Sequence, residues 1–189
     1  VESHRGTTPA SFVALLRGIN VGGRNKVPMA ELRRGLAARG LADVRTYIAS
    51  GNVIAAAPDG PQAPQRVADI VCATIAEDFG FACSVLVRRG EQMQRIAGAI
   101  PPDWDNTEAH KSDVLYLFDD VDSPEVLAQL PLVADVDHAL YTPGAVIWTV
   151  SRALQPRSGM VRIVGTPLYS RLTIRNVRTA RTLATLAAP

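Results

Sequence analysis

Apolar positions along the chain switch between two spacings, and the switches predict its elements. Phe12–Leu16 is an unbroken apolar run and predicts a strand over 12–17. Met29, Leu32 and Leu36 then recur at helical spacing, with Pro28 suited to a first helical position and Gly40 just past the end. Residues 44–49 alternate apolar and polar side chains, as a half-buried strand does. Ser50-Gly51-Asn52 is turn chemistry, and 53–57 resumes as the second arm of a hairpin. Val67, Ile70, Val71 and Ile75 mark one face of a helix that Gly80 closes, and 83–87 makes a fourth strand. The order is βαββαβ, the ferredoxin-like pattern.

A short helix over 91–100 leads to Pro101-Pro102, the candidate boundary between halves. Beyond it, 114–118 reads as a strand, and Ser123 can cap a helix running from Pro124 through Leu130. Strands over 133–141 and 145–150 flank the turn Thr142-Pro143-Gly144. The pattern loosens after Ser151, where Pro156, Gly159, Gly165 and Pro167 crowd together. A short strand over 172–175 and a helix capped by Asn176 close the chain, with Val177, Ala180, Leu183, Ala184 and Ala187 as its apolar stripe. The prediction is an α+β fold of duplicated ferredoxin-like βαββ(αβ) units with antiparallel sheets and an extra C-terminal helix. Residues 1–11 read as a disordered lead, 12–100 as the first unit with its connecting helix, and 101–189 as the second unit with the final helix.

Composition adds little to this until charge is mapped. The chain is 47% apolar and 20% charged, ordinary for a domain with a full core, and its net charge is only +2. That charge is unevenly spread. Residues 151–189 hold seven arginines and no acid, whereas 103–137 hold ten acids and one lysine. Either the two segments face each other, or the arginines form a surface for an anion or nucleic acid. The 18 Arg to 2 Lys, alongside 27 Ala, fit a GC-rich genome, so arginine abundance carries no function by itself.

Cys72 and Cys83 lie in apolar surroundings and read as free thiols of a reducing cytoplasm. His4, His110 and His138 are scattered, and none pairs with a cysteine at metal-ligand spacing, so no metal is expected. Nor does any apolar run or leader suggest a membrane.

The candidate chemistry gathers at Arg17–Lys26. This stretch holds three glycines, two asparagines and three cations in ten residues, between a predicted strand and a helix. Such a loop brings its backbone close to something polar or anionic. In a ferredoxin-like unit the end of strand one shares a sheet edge with the start of strand three. Arg17, Asn20, Gly22, Gly23 and Asn25 should therefore lie near Ser50, Gly51 and Asn52. A third group, Arg175, Asn176 and Thr179, sits at the start of the last helix. Arg175, Arg178 and Arg181 crowd the positive end of that helix's dipole, which calls for an anionic partner, either a ligand or an acid such as Asp119 or Asp120.

Familiar chemistries are excluded. The loop lacks Gly-x-Gly-x-x-Gly spacing and a Walker Lys-Ser or Lys-Thr pair. Asp103-Trp-Asp-Asn-Thr107 spells a phosphatase string, but Pro101-Pro102 stands where a buried strand is needed. Ser50 is in no nucleophile elbow, and no aromatic platform for RNA is present.

Several strings together resemble one family: Leu15-Leu-Arg-Gly-Ile-Asn-Val-Gly-Gly23, Val27-Pro-Met-Ala-Glu-Leu32, Val44-Arg-Thr-Tyr-Ile-Ala-Ser-Gly-Asn-Val53, and Thr173-Ile-Arg-Asn176 with Thr179. On these the chain resembles the bacterial domain of unknown function 1697 (DUF1697) family, from about Phe12 to Leu186. The resemblance implies a duplicated ferredoxin-like architecture and no assigned activity. Its usual Thr-x-Arg-Asn-Trp-x-Thr pattern is altered here, with Val177 in place of the Trp. The resemblance also favours a shared site at Arg17, Asn20, Ser50 and Asn52, and leaves Arg175, Asn176 and Thr179 open between a ligand and a structural role.

The leading expectation is thus a cytoplasmic protein binding a small anionic or polar ligand, with no cofactor. Arg17 and Arg175 would meet the charge, glycine amides would cradle it, and Asn20, Ser50 and Asn52 would orient it. Any chemistry there would rest on electrostatic stabilisation, since no histidine or cysteine is placed for covalent catalysis. The alternatives are a nucleic-acid module built on 151–189 and an assembly or scaffold role.

Overall fold

The computed structural model describes residues 9–188, so positions 1–8 of the expected lead lie outside the described residues. Two compact units make up the chain. The first runs to Met93 and takes in 185–188, and the second is Gln94–Ala184. The division falls inside the connecting helix, ahead of Pro101-Pro102.

The first unit contains β1 (Pro9–Leu16), α1 (Met29–Ala38), β2 (Ala42–Thr46), β3 (Asn52–Pro58), α2 (Ala63–Phe79) and β4 (Val85–Arg89), after which α3 (Gly90–Gly98) begins. β1 starts three residues earlier than its apolar run, because Pro9, Ala10 and Ser11 pair with Pro58, Ala57 and Ala56. The sheet order is β2-β3-β1-β4, with every neighbour antiparallel. Phe12, Ala14 and Leu16 join Leu32, Leu36, Val67, Val71 and Ile75 in a core against α1 and α2. Val13 and Leu15 alternate with them and are buried too. A strand buried on both faces reads as a continuous apolar run.

The second unit contains β5 (His110–Leu117), β6 (Asp137–Thr142), β7 (Ala145–Ser151) and β8 (Leu172–Asn176), followed by α4 (Val177–Leu186). Its order, β6-β7-β5-β8, repeats the first. The crossovers do not repeat. Where the first unit has α1 and α2, the second has 3-10 segments at Asp119–Val121 and Pro124–Gln129, then at Gln155–Arg157, Gly159–Gly165 and Pro167–Arg171. The helix expected over 124–130 is therefore a 3-10 turn. Prolines at 124, 131, 156 and 167 with glycines at 159 and 165 leave these stretches too broken for a stable α-helix. The strand expected from Val133 starts only at Asp137, whose carboxylate and N–H both bind Val133 (2.9 Å each) and fold 133–137 into a turn.

The duplication is sharpest where each sheet ends. Val13 pairs with Arg88 as Val114 pairs with Arg175, and Leu15 pairs with Leu86 as Tyr116 pairs with Thr173. Each arginine is followed two residues later by a helix. Each helix start carries one half of a capping box: Gln92 Oε1 accepts the Arg89 N–H (2.8 Å), and Asn176 Oδ1 accepts the Thr179 N–H (2.8 Å). Among the described residues no helix is long and apolar enough to cross a membrane.

Candidate functional site

β1 leaves its sheet between two neighbours. The Leu16 N–H bonds to Gly51 O (2.8 Å) and the Arg17 N–H to Ser84 O (2.9 Å). The following loop is a miniature hairpin: Asn20 N–H donates to Asn25 O, and Arg24 N–H to Val21 O (3.0 Å each). Gly22 (φ 58°) and Gly23 (φ 75°) form its two-residue tip, a turn that requires positive φ at both positions. Ile19 and Val27, both buried, plug its base.

Asparagine side chains hold this loop. Asn20 Nδ2 donates to Val27 O (3.1 Å) and Ala49 O (2.8 Å), while its Oδ1 accepts the Val27 N–H (2.8 Å). Asn25 Nδ2 donates to Gly18 O (2.9 Å). Both residues sit at left-handed φ, which asparagine tolerates better than other side chains. Of the expected neighbourhood, the structure brings Asn20 to Ala49, next to the 50–52 turn, and the end of β1 to Gly51 through Leu16. Asn20 acts there as a clip, with both amide N–H groups committed to backbone carbonyls.

The turn is similarly tied down. Asn52 is buried, and its Nδ2 donates to Tyr47 O and Ser50 Oγ (3.0 Å each). A Cβ on Gly51 would lie 2.9 Å from Leu16 Cβ, and the φ there is +80°, so glycine is required on both counts. Ile48 adopts φ 51°, an unfavourable backbone for a β-branched residue, and is 51% exposed.

What this rim offers outward is cationic and partly apolar. Arg24 and Lys26 are exposed, with no acid or carbonyl bonded to either side chain among the described residues. Val21, 66% exposed, stands across the hairpin from Arg24. The segments that meet at this end, 9–30, 44–58 and 80–90, contain no Asp or Glu. Arg24, Lys26, Val21 and Ile48 could not be picked out by sequence motif. The acid-free stretches were the available signal.

Nucleophilic chemistry has little support here. The Cys83 thiol donates to Arg17 O (3.2 Å), and burial pushes its pKa up to about 11. Burial, then the Asp69 charge, also raises that of Cys72. Both cysteines are free thiols and partly exposed, and protonated thiols are poor nucleophiles. Among the described residues no group of three or more His, Cys, Asp or Glu could hold a metal ion.

The third expected group lies in the second unit. Asn176 and Thr179 serve as helix cap, and Arg175 Nη1 bonds to Thr173 Oγ1 (3.0 Å) and Ile174 O (2.8 Å). The nearby arginines have acidic partners from the 103–137 segment. Arg178 holds Asp105 bidentately (2.9 and 3.2 Å), with Arg181 at 3.7 Å from the same carboxylate and 3.2 Å from the carbonyls of Pro101 and Trp104. Arg171 pairs with Asp120 (2.8 Å). The Arg178 hydrogen bond, then the Asn106 N–H, holds Asp105 below the usual carboxylate range. Asp105 thus offsets the cost of cations at the start of α4.

Comparisons with known proteins follow the same outline. A family model described as "Protein of unknown function (DUF1697)" matches residues 10–148. It spans the rim and stops short of Arg175, Asn176 and Thr179. The structure is similar to that of the conserved bacterial protein SP0830 from Streptococcus pneumoniae, with a TM-score of 0.81 and 26% identity over 96% of this chain and 100% of that one. No curated protein matches the chain significantly.

Proposed function

The chain belongs to the DUF1697 family, and from that premise we propose that it binds a small anionic or polar ligand at the rim formed by residues 17–26 and 50–52. The observation that carries this reading is a loop fixed by neutral amides which presents exposed Arg24 and Lys26 with no acid partner among the described residues. Arg24 and Lys26 contact the anion, with Arg17 at the loop's root and the Gly22 and Gly23 N–H groups completing the cradle. Asn20, Asn25, Ser50, Gly51 and Asn52 set the cradle's shape. Arg175, Asn176 and Thr179 belong to this reading only as a second polar group, for which cap and strand bonding already supplies a role. Free thiols fit a reducing compartment, which supports reading this as a cytoplasmic activity.

A nucleic-acid role for 151–189 has less support, because Arg171, Arg178 and Arg181 are engaged with Asp120 and Asp105. Calorimetric titration with phosphate, citrate and a nucleoside monophosphate at low ionic strength tests the proposal. At least one should bind, more weakly as salt rises, and R24A/K26A should weaken it about tenfold, or about 0.7 kcal/mol per lost charge. Equal affinity in the double variant, or no binding by any of the three, would overturn it.

A further inference from the structure

The large apolar side chains left exposed among the described residues fall into two pairs, and one pair lies outside the proposed rim. It is Val161, 56% exposed, and Val164, 66% exposed, on the 3-10 segment Gly159–Gly165. In a 3-10 helix residues three apart eclipse one another, so the two valines form a single strip. The segment is firmly seated. Met160 and Ile163 are buried in the second unit's core. Asp137 accepts hydrogen bonds from the Gly159 N–H (2.8 Å) and the Ser158 hydroxyl, and Ser158 Oγ in turn accepts the Met160 N–H (3.1 Å). A strip held this rigidly loses little entropy on docking.

Charge says what it fits. Residues 151–189 hold seven arginines and no acid. Arg171, Arg178 and Arg181 are ion-paired, Arg152 bonds to Thr107 O and Gln155, and Arg175 bonds to Thr173 and Ile174. Arg157 and Arg162 alone in this stretch have no acid or carbonyl partner among the described residues; Arg162 lies between the two valines in sequence and Arg157 four residues before the first. We infer that Arg157, Val161, Arg162 and Val164 form a docking ridge for an acidic polypeptide segment that carries apolar side chains. Two valines and two arginines suit a carboxylate-and-leucine partner better than the alternatives. A membrane surface calls for more basic residues, and single-stranded nucleic acid for an aromatic stacking platform.

Fluorescence anisotropy of the full chain with a labelled peptide of interspersed glutamate and leucine tests this. Peptides with serine for leucine or lysine for glutamate, a single-stranded oligonucleotide and phosphatidylserine vesicles form the other arms. The Glu/Leu peptide should bind most tightly. V161S/V164S and R157E/R162E should each weaken it about tenfold, the second also flattening its salt dependence. R24E/K26E should leave it unchanged, which separates this ridge from the rim. All these side chains are exposed, so an unchanged thermal melt is expected for every variant. No binding of the Glu/Leu peptide, equal affinity for the serine version, or tighter binding of oligonucleotide or vesicles through the same residues would each overturn the inference.

Discussion

Asn20 and Asp137 perform the same mechanical task in the two units with opposite electrical consequences. Each ties a long excursion back to its sheet. Asn20 does so with one acceptor and two donated bonds, to Val27 and Ala49. Asp137 does so as acceptor only, taking bonds from the Val133 N–H, the Gly159 N–H, Trp148 Nε1 and the Ser158 hydroxyl. An amide fixes backbone without adding charge, whereas a carboxylate brings a negative charge with it. The contrast extends to the arginines. In the second unit Arg178 and Arg171 meet Asp105 and Asp120, while in the first unit Arg24 and Lys26 meet no acid among the described residues. In the proposed reading, a fixed loop with its cations left over is free to take an anion. A fixed loop with its cations paired is architecture.

The most disruptive way to break this comparison is to remove the carboxylate hub. Asp137→Ala leaves four donors to find other partners, some buried, and should lower unfolding stability by about 3 kcal/mol in urea. Both tryptophans, Trp104 and Trp148, lie in the second unit, so their fluorescence reports that unit directly.

Converting the neutral clip to a charged one is the next largest change. Asn20→Asp sets a carboxylate oxygen against the carbonyls of Val27 and Ala49 and places a negative charge in an acid-free rim. It should cost about 2 kcal/mol and also weaken anion binding. Asn20→Ala should cost less and leave the rim's charge intact. Equal anion affinity in Asn20→Asp would break the electrical half of the comparison.

Acid titration sharpens it further. Burial works to raise the Asp137 pKa, but the bonds from Ser158, Gly159, Val133 and Trp148 outweigh it, and the net position is below the usual carboxylate range. Asp105 is lowered as well, first by Arg178. A carboxylate depressed in the folded state adds stability above its unfolded pKa, about 4, and that stability is lost as pH falls through the folded value. Tryptophan fluorescence should therefore show the second unit loosening below about pH 4, with Asp137→Ala removing much of the dependence. The smallest effect is expected at the exposed pair. Arg178→Ala should shift unfolding stability the least despite its bidentate geometry, because solvent screens the pair.

The architecture was largely legible because burial on both sides of β1 makes Phe12–Leu16 unmistakably apolar, and Val67, Ile70, Val71 and Ile75 keep one helical face. The second crossovers were harder. Ser123-Pro124 is a helix-start signal that a 3-10 turn satisfies equally well, and Asp137 converts an apparent strand start into a turn by binding Val133. The rim's location was legible from Gly22, Gly23 and the asparagines. Their roles were not, since whether an asparagine faces a ligand or a backbone depends on Ala49, distant in sequence, arriving beside Asn20. The pairing of Arg178 with Asp105 was foreseen only as one of two outcomes of the charge map.

The most direct measurement is a proton–nitrogen NMR titration of the protein with citrate at low ionic strength. Shifts concentrated at the amides of Gly22, Gly23, Arg24 and Lys26, with those around Arg171, Arg178 and Arg181 unmoved, are the predicted result. Shifts centred on the paired arginines of the second unit, or none at the rim, would contradict the account.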